Sequence, residues 1–344
     1  MNTSSDSRLL DRRGFLRLSA GLVATASAAF QWGCNLTTRA CKSAPPNPFV
    51  AAGKPLLVVV EGEDLGTMLR AGIEALGGLD PLTKLGREVI FRGNYVASQP
   101  YPVTTAPDFV LAVAAELKRA GFTKASLFDS HGTRLAAAMP PEHILRRLGV
   151  LDKLTQGGVP VLARDFSDPN EFVFVQNPAW TIAKPVAVHR LLHEAPIVVS
   201  LPVVKRHRGG ANFTCALKMH FGSVAMADRM LVHTKDDAGR SGLLQQRLVH
   251  FADAVRPQLN VVDARAILAR SGPGLGGGAE VIKGVNKLIL SGDMVAVDSY
   301  CARLMARHDD TFTLDTVASQ LKHAAALGLG KADLGAVKVV EVST

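Results

Sequence analysis

Blocks of apolar residues alternate with amphipathic stretches along this chain, and the order of the blocks predicts a strand–helix repeat. The unbroken apolar run at 55–60 has the pattern of a strand buried on both faces. Over 64–76, Leu65, Met68, Leu69, Ile73 and Leu76 recur at helical spacing, and Gly77-Gly78 ends the helix. A strand follows at 88–92. A helix at 105–120 has Thr105 as its cap, Pro107 in its first turn and Gly121 at its end. Further strands are predicted at 125–129, 160–164, 172–175, 196–201, 261–263, 287–291 and 336–342. Helices are predicted at 141–148, 212–221, 242–254, 293–305 and 313–327. This alternation implies an α/β fold: a mainly parallel sheet, or sheets, with helices on both faces. Residues 54–344 would form it, as one domain or as two lobes.

The first residues read differently. Arg12-Arg13, then Phe15-Leu16, then an apolar run at 21–30 have the order of a twin-arginine export signal. The run is about half the ~20 residues that span a bilayer. Cleavage after Ala26-Ser27-Ala28 would leave a Pro-rich linker at 29–53, and Cys34 is a candidate lipidation site. The chain is therefore expected to cross the membrane folded, through the twin-arginine translocase. It would reside in the periplasm or cell envelope, touching membrane only through the leader or a lipid.

Composition narrows the class. The 344 residues are 47% hydrophobic and 20% charged, enough apolar material for a large core. Four cysteines exclude a disulfide scaffold and supply no iron–sulfur ligand run. Cys215 and Cys301 are as readily two buried thiols as a pair. The net charge is +9, and residues 1–28, with four arginines and two aspartates, leave +7 to the rest. The basic residues are scattered and aromatics are only 6%, which argues against nucleic acid and for a small anionic ligand.

Ligands of open α/β sheets bind beyond the carboxyl ends of the strands. Four polar clusters follow predicted strands: Arg92 to Tyr95, Asp129 to Arg134, Lys205 to Gly210, and Asp293 with Asp298. Lys205, His207, His131 and Asp129 are the candidate catalytic residues. An imidazole would act as general base, and Asp129 would orient it or hold a cation with Asp298. Asn94, Thr105, Arg134, Arg208, Lys218, Asp293 and Asp298 are the candidate ligand contacts. His207 and His220 are candidate metal ligands, although no standard zinc spacing is present. The Gly-rich stretch 271–278 lacks the strand–loop–helix order of a dinucleotide site and reads as a flexible loop or lid.

Leu201-Pro-Val-Val-Lys205-Arg-His207, followed by Thr214-Cys-Ala-Leu-Lys218-Met-His-Phe-Gly222, resembles the central signature of the family called domain of unknown function 362. Gly93-Asn94, Asp129-Ser130, Gly272-Pro273 and the Gly292-to-Asp298 stretch follow the same pattern in the same order. The resemblance covers about residues 55–342. It departs at His220, where the family usually has Asn, and at Val204, where Leu is usual; the ferredoxin-like domain of some members is missing. A more distant likeness is to the nickel-pincer lactate racemases, through Asp129-Ser-His131-Gly-Thr-Arg134. That likeness implies a cofactor tethered at Lys205 and a metal at His220. The expected activity is that of a metal- or cofactor-dependent enzyme acting on a small anionic organic compound. A non-catalytic binding or cofactor-carrying protein would use the same residues.

Overall fold

The apolar runs become neighbours in one twelve-stranded sheet. Its main path runs Lys338–Ser343, Lys54–Glu61, Lys287–Ser291, Leu259–Ala269, Val198–Leu201, Glu88–Gly93, Lys124–Ser130 and Val161–Arg164. Both antiparallel junctions on this path belong to Lys287–Ser291; the others are parallel. The computed structural model describes residues 39–41, 47–130, 142–164, 168–181, 185–208, 210–232 and 243–344. The leader at 1–28, Cys34, His131 and Arg134 lie outside the described residues.

Strand Lys54–Glu61 shows why helices cover both faces. Successive side chains of a strand point to opposite sides. Leu56, Val58 and Val60 pack with Met68, Phe109 and Val113, from the helices Leu65–Ala75 and Pro107–Arg119. Leu57 and Val59 pack with Val295, Leu304 and Val317, from the helices Met294–His308 and Asp315–Ala326. The fold is therefore α/β with a mainly parallel sheet. Among the described residues no helix is long and apolar enough to cross a membrane.

Several local expectations are corrected. Residues 212–221 are not one helix. Gly210 and Asn212 both have positive φ, and the chain reverses into the strand Asn212–Thr214, antiparallel to Val203–His207. Only Ala216–Met219 is α-helical there, followed by a 3-10 turn at His220–Ser223. The strand at 261–263 is the middle of an eleven-residue strand, Leu259–Ala269. Thr105 does not cap the helix that starts at Pro107. Its hydroxyl accepts from the Asn94 amide (2.8 Å) and donates to the Leu201 carbonyl (2.8 Å), bracing two strand ends. Part of the stretch read as linker is built into the fold. Arg39–Ala40 pairs with Val175-Gln176, Val50–Ala51 pairs with Lys54-Pro55, and Phe49 is buried.

Candidate functional site

Glu88–Gly93, Lys124–Ser130 and Val198–Leu201 run parallel and end side by side. After Pro202 the chain continues as Val203–His207, which runs along the second half of Leu259–Ala269 with a register shift between Val203 and Lys205. That extension carries Lys205 over the ends of the neighbouring strands. Strand alternation then divides the basic run. Lys205 and His207 line one cavity, while Arg206 and Arg208 line another that also reaches His207.

The first cavity is about 380 Å³. Its wall includes Arg92, Asn94 and Tyr95 from one strand end, Asp129 and Ser130 from the next, Lys205 and Thr214 from the hairpin, and Lys218, Gly222 and Arg229 beyond it. Lys205 is 1% exposed. Its Nζ donates to the Val103 carbonyl at 2.5 Å and to Asn94 Oδ1 at 3.3 Å. Among the described residues it has no carboxylate partner. Burial, with the charge of Lys218 second, holds its pKa well below the ordinary lysine value. A neutral amine has two N–H donors and one lone pair. Two carbonyl acceptors and no carboxylate among the described residues are surroundings that favour this form. Burial also takes Lys218 down to about 7.

Opposite charges meet at the next strand end. Arg92 Nη1 lies 3.3 Å from Asp129 Oδ1, both groups buried. Burial raises the Asp129 carboxyl to about 7 despite the opposing pull of Arg92. Arg229 donates to the Ser130 hydroxyl and to the Gly222 carbonyl, and burial lowers it to about 9. Gly222 allows the close approach: a Cβ there would lie 1.9 Å from Arg92 Nη2. Four buried polar atoms on this wall have no partner among the described residues: Arg92 Nε, Tyr95 Oη, Asp129 Oδ2 and Thr214 Oγ1. Most buried polar groups in proteins are satisfied. Four such unpartnered atoms share one wall here.

The other expected site residues are placed elsewhere. Because Lys287–Ser291 is antiparallel, Ser291 pairs with Leu57 and Asn260, near the starts of those strands. Asp293 therefore leaves the sheet away from the cavity. It caps the helix Met294–His308 by accepting from the Val295 and Ala296 amides. Asp298 accepts from the Ala216 amide at 2.6 Å and so anchors the segment that carries Lys218. Arg208 lines only the second cavity. Cys215 and Cys301 are buried free thiols.

His220 is wholly buried and does not line the cavity. Its ring nitrogens face Ser200 (3.3 Å) and Ser223 (3.5 Å). Burial, with Arg92 second, lowers it to about 3, so it is neutral. His207, by contrast, is at the cavity wall with Nδ1 on the Arg208 carbonyl. The two histidines therefore do not form a metal pair, and the guanidinium beside His220 opposes a second cation there. Among the described residues no group of three or more His, Cys, Asp or Glu side chains could hold a metal ion. Thr214 and Arg229 are cavity residues that lie outside the expected clusters. Tyr95 closes the expected cluster Arg92 to Tyr95, but nothing local marks Arg229, which lies on a short helix, Met226–Leu231.

The pattern that describes the family "Domain of unknown function (DUF362)" matches residues 89–303. The chain belongs to this family. The matched region includes every described residue of the cavity wall. No curated protein matches the chain. Two solved structures are similar in part. The lactate racemase apoprotein from Thermoanaerobacterium thermosaccharolyticum has a TM-score of 0.44 and 10% identity, covering 74% of this chain and 60% of that one. A structural-genomics protein from Thermotoga maritima has a TM-score of 0.42 and 13% identity, covering 70% and 59%. The chain thus spans about three-fifths of each. Likenesses this distant say nothing about the activity of this chain.

Proposed function

We propose that this DUF362 protein is an enzyme acting on a small anionic organic compound, with the Lys205 amine as its reacting base or nucleophile. The observation that carries the reading is the convergence of four unsatisfied buried polar atoms and a carboxylate-free buried lysine on one cavity. Arg92, Arg229 and Lys218 supply positive charge for the anionic group. Asp129, with a carboxyl near 7, is suited to give or take a proton at neutral pH. A desolvated lysine beside a second cationic group is the setting in which an amine becomes nucleophilic near neutrality. The same amine suits a covalently tethered cofactor. The donor set expected for a divalent metal, His207 with His220, does not fit one, and no step is assigned to a metal. Export through the twin-arginine translocase belongs to the same proposal, because a chain carrying a completed buried site would cross already folded.

The test is competitive labelling of the whole chain with acetic anhydride, read by peptide mass spectrometry, with small carboxylates as protecting ligands. Lys205 is expected to acylate as a free amine at pH 7 and to be protected by a bound carboxylate. A mass already present on the Lys205 peptide before labelling would reveal a tethered cofactor. If Lys205 behaves as an ordinary lysine, and Lys205→Met and Lys218→Met both leave carboxylate binding intact, the reading is wrong. Binding without turnover in any carboxylate screen would instead favour a ligand-binding protein.

A further inference from the structure

The second cavity, about 440 Å³, lies across the strand Val203–His207 from the first and shares His207 with it. Its wall is Arg206, His207, Arg208, Asn212, Arg270, Ser271, Gly277 and Gly278, with three guanidinium groups and no acid. The acids that pair with them are not among the described lining residues. Asp309 Oδ2 meets Arg206 Nε at 3.2 Å, and Asp309, Asp310 and Glu280 meet Arg270. These contacts hold the guanidinium groups in place. Arg206 is also held from one side by the Phe312 ring, 5.0 Å from its Cζ. Its two Nη atoms meet no acceptor among the described residues. Arg208 donates from Nε to the Ser271 hydroxyl at 2.6 Å and from Nη2 to the Gly277 carbonyl, which leaves Nη1 open.

The Gly-rich stretch 271–278 is thus docked onto this hairpin by Arg208. Gly277 has φ +56°, and a Cβ on it would meet Arg208 Nη2 at 2.5 Å. A Cβ on Gly272 would lie 2.0 Å from the Arg206 carbonyl oxygen. Pro273 and Gly274 of the same stretch line the first cavity, while Ser271, Gly277 and Gly278 line the second. One loop and one histidine therefore border both spaces.

We propose that the arginine cavity is a second anion subsite, which takes a phosphoryl group on the outer end of the ligand whose inner end enters the Lys205 cavity. This rests on the proposed function, since it supplies the remote half of the same ligand. The forks of several arginines suit a group with three terminal oxygens and up to two charges better than a carboxylate. A dianion is also cheaper to hold in an open polar cavity than in a closed one, because it keeps part of its water.

The experiment is calorimetric titration of the full chain with inorganic phosphate and, separately, with propionate. The variants are Arg206→Gln, Arg208→Gln, Arg208→Lys and Lys218→Met, each checked for an unchanged unfolding midpoint. Phosphate affinity is expected to fall tenfold or more in both glutamine variants, less in Arg208→Lys, and under twofold in Lys218→Met. Because Arg208 also anchors the loop, Arg206→Gln is the independent check. The proposal is overturned if phosphate does not bind, if both glutamine variants bind it as the unaltered chain does, or if Lys218→Met abolishes its binding. Propionate binding that the glutamine variants leave unchanged reports on the inner cavity, so its loss in Lys218→Met, or its absence from the unaltered chain, tests the proposed function separately.

Discussion

The two sides of Val203–His207 put the same kind of charge to opposite uses. The inner side carries two lysines beside the Arg92–Asp129 pair and Arg229, and burial takes Lys205 well below its ordinary value and Lys218 to about 7. On the outer side are arginines, braced by acids and open to water. A guanidinium keeps its proton in nearly any protein setting, whereas an amine gives it up when desolvated. Within the basic run, Lys205 on the inner face and Arg206 and Arg208 on the outer face thus divide an amine suited to proton or bond chemistry from guanidinium groups suited only to holding an anion. Arg92 and Arg229 supply the inner cavity's own fixed charge. Neighbouring residues of one basic run serve both, because a strand sends alternate side chains to opposite faces.

Stability should separate the two sides most sharply. Arg92→Met leaves Asp129 buried without its ion partner and should cost about 3–5 kcal/mol at pH 8 in urea unfolding. Arg270→Gln, on the outer side, should cost under about 1 kcal/mol. At pH 5.5 the Arg92→Met cost should shrink. Asp129 has a raised carboxyl, so it is protonated below about 7 and no longer needs the partner. An equal cost at both pH values would contradict the assigned carboxyl.

Gly222→Ala comes next. The added methyl must displace the buried Arg92 guanidinium, for an expected cost of about 1–3 kcal/mol. Propionate binding should weaken with it, whereas phosphate binding on the outer side should not change. Parallel loss of both would show that the two cavities respond as one.

Anion affinity of the inner cavity should rise as pH falls from 8 to 6. Over that range Lys218 gains a proton and Asp129 loses its negative charge, both near 7, so the two changes have the same sign. One proton taken up per ligand bound corresponds to about tenfold per pH unit. Titration of propionate at several pH values reads the slope; a flat profile would exclude both groups from the site. Thr105→Val, which removes the brace between Asn94 and Leu201, should cost about 0.5–1.5 kcal/mol and loosen Lys205, whose acceptor is Asn94. The smallest effect belongs to His220→Asn. It exchanges one neutral hydrogen-bonding side chain for another, and propionate affinity should stay within twofold.

Most strands and helices, the parallel character of the sheet and the basic hairpin were legible in the chain itself. A buried strand such as Lys54–Glu61 needs an apolar run, and its helices need apolar residues at helical spacing. Asn94, Asp129, Lys205, His207 and Lys218 were legible too, because each follows or extends a strand end that faces the cavity. Three things were decided only by the assembled structure. The reversed direction of Lys287–Ser291 removed Asp293 from the site, since strand direction depends on which neighbour a strand pairs with and not on its own residues. The full burial of His220 turned an expected ligand into a neutral brace between two serines. Alternation at Lys205 to Arg208 became two cavities only once the Gly-rich loop had docked against one face. Local sequence determines which residues form an element and which side of it they occupy. What each side meets, and therefore whether a charged group keeps its proton, is determined by residues distant in the chain.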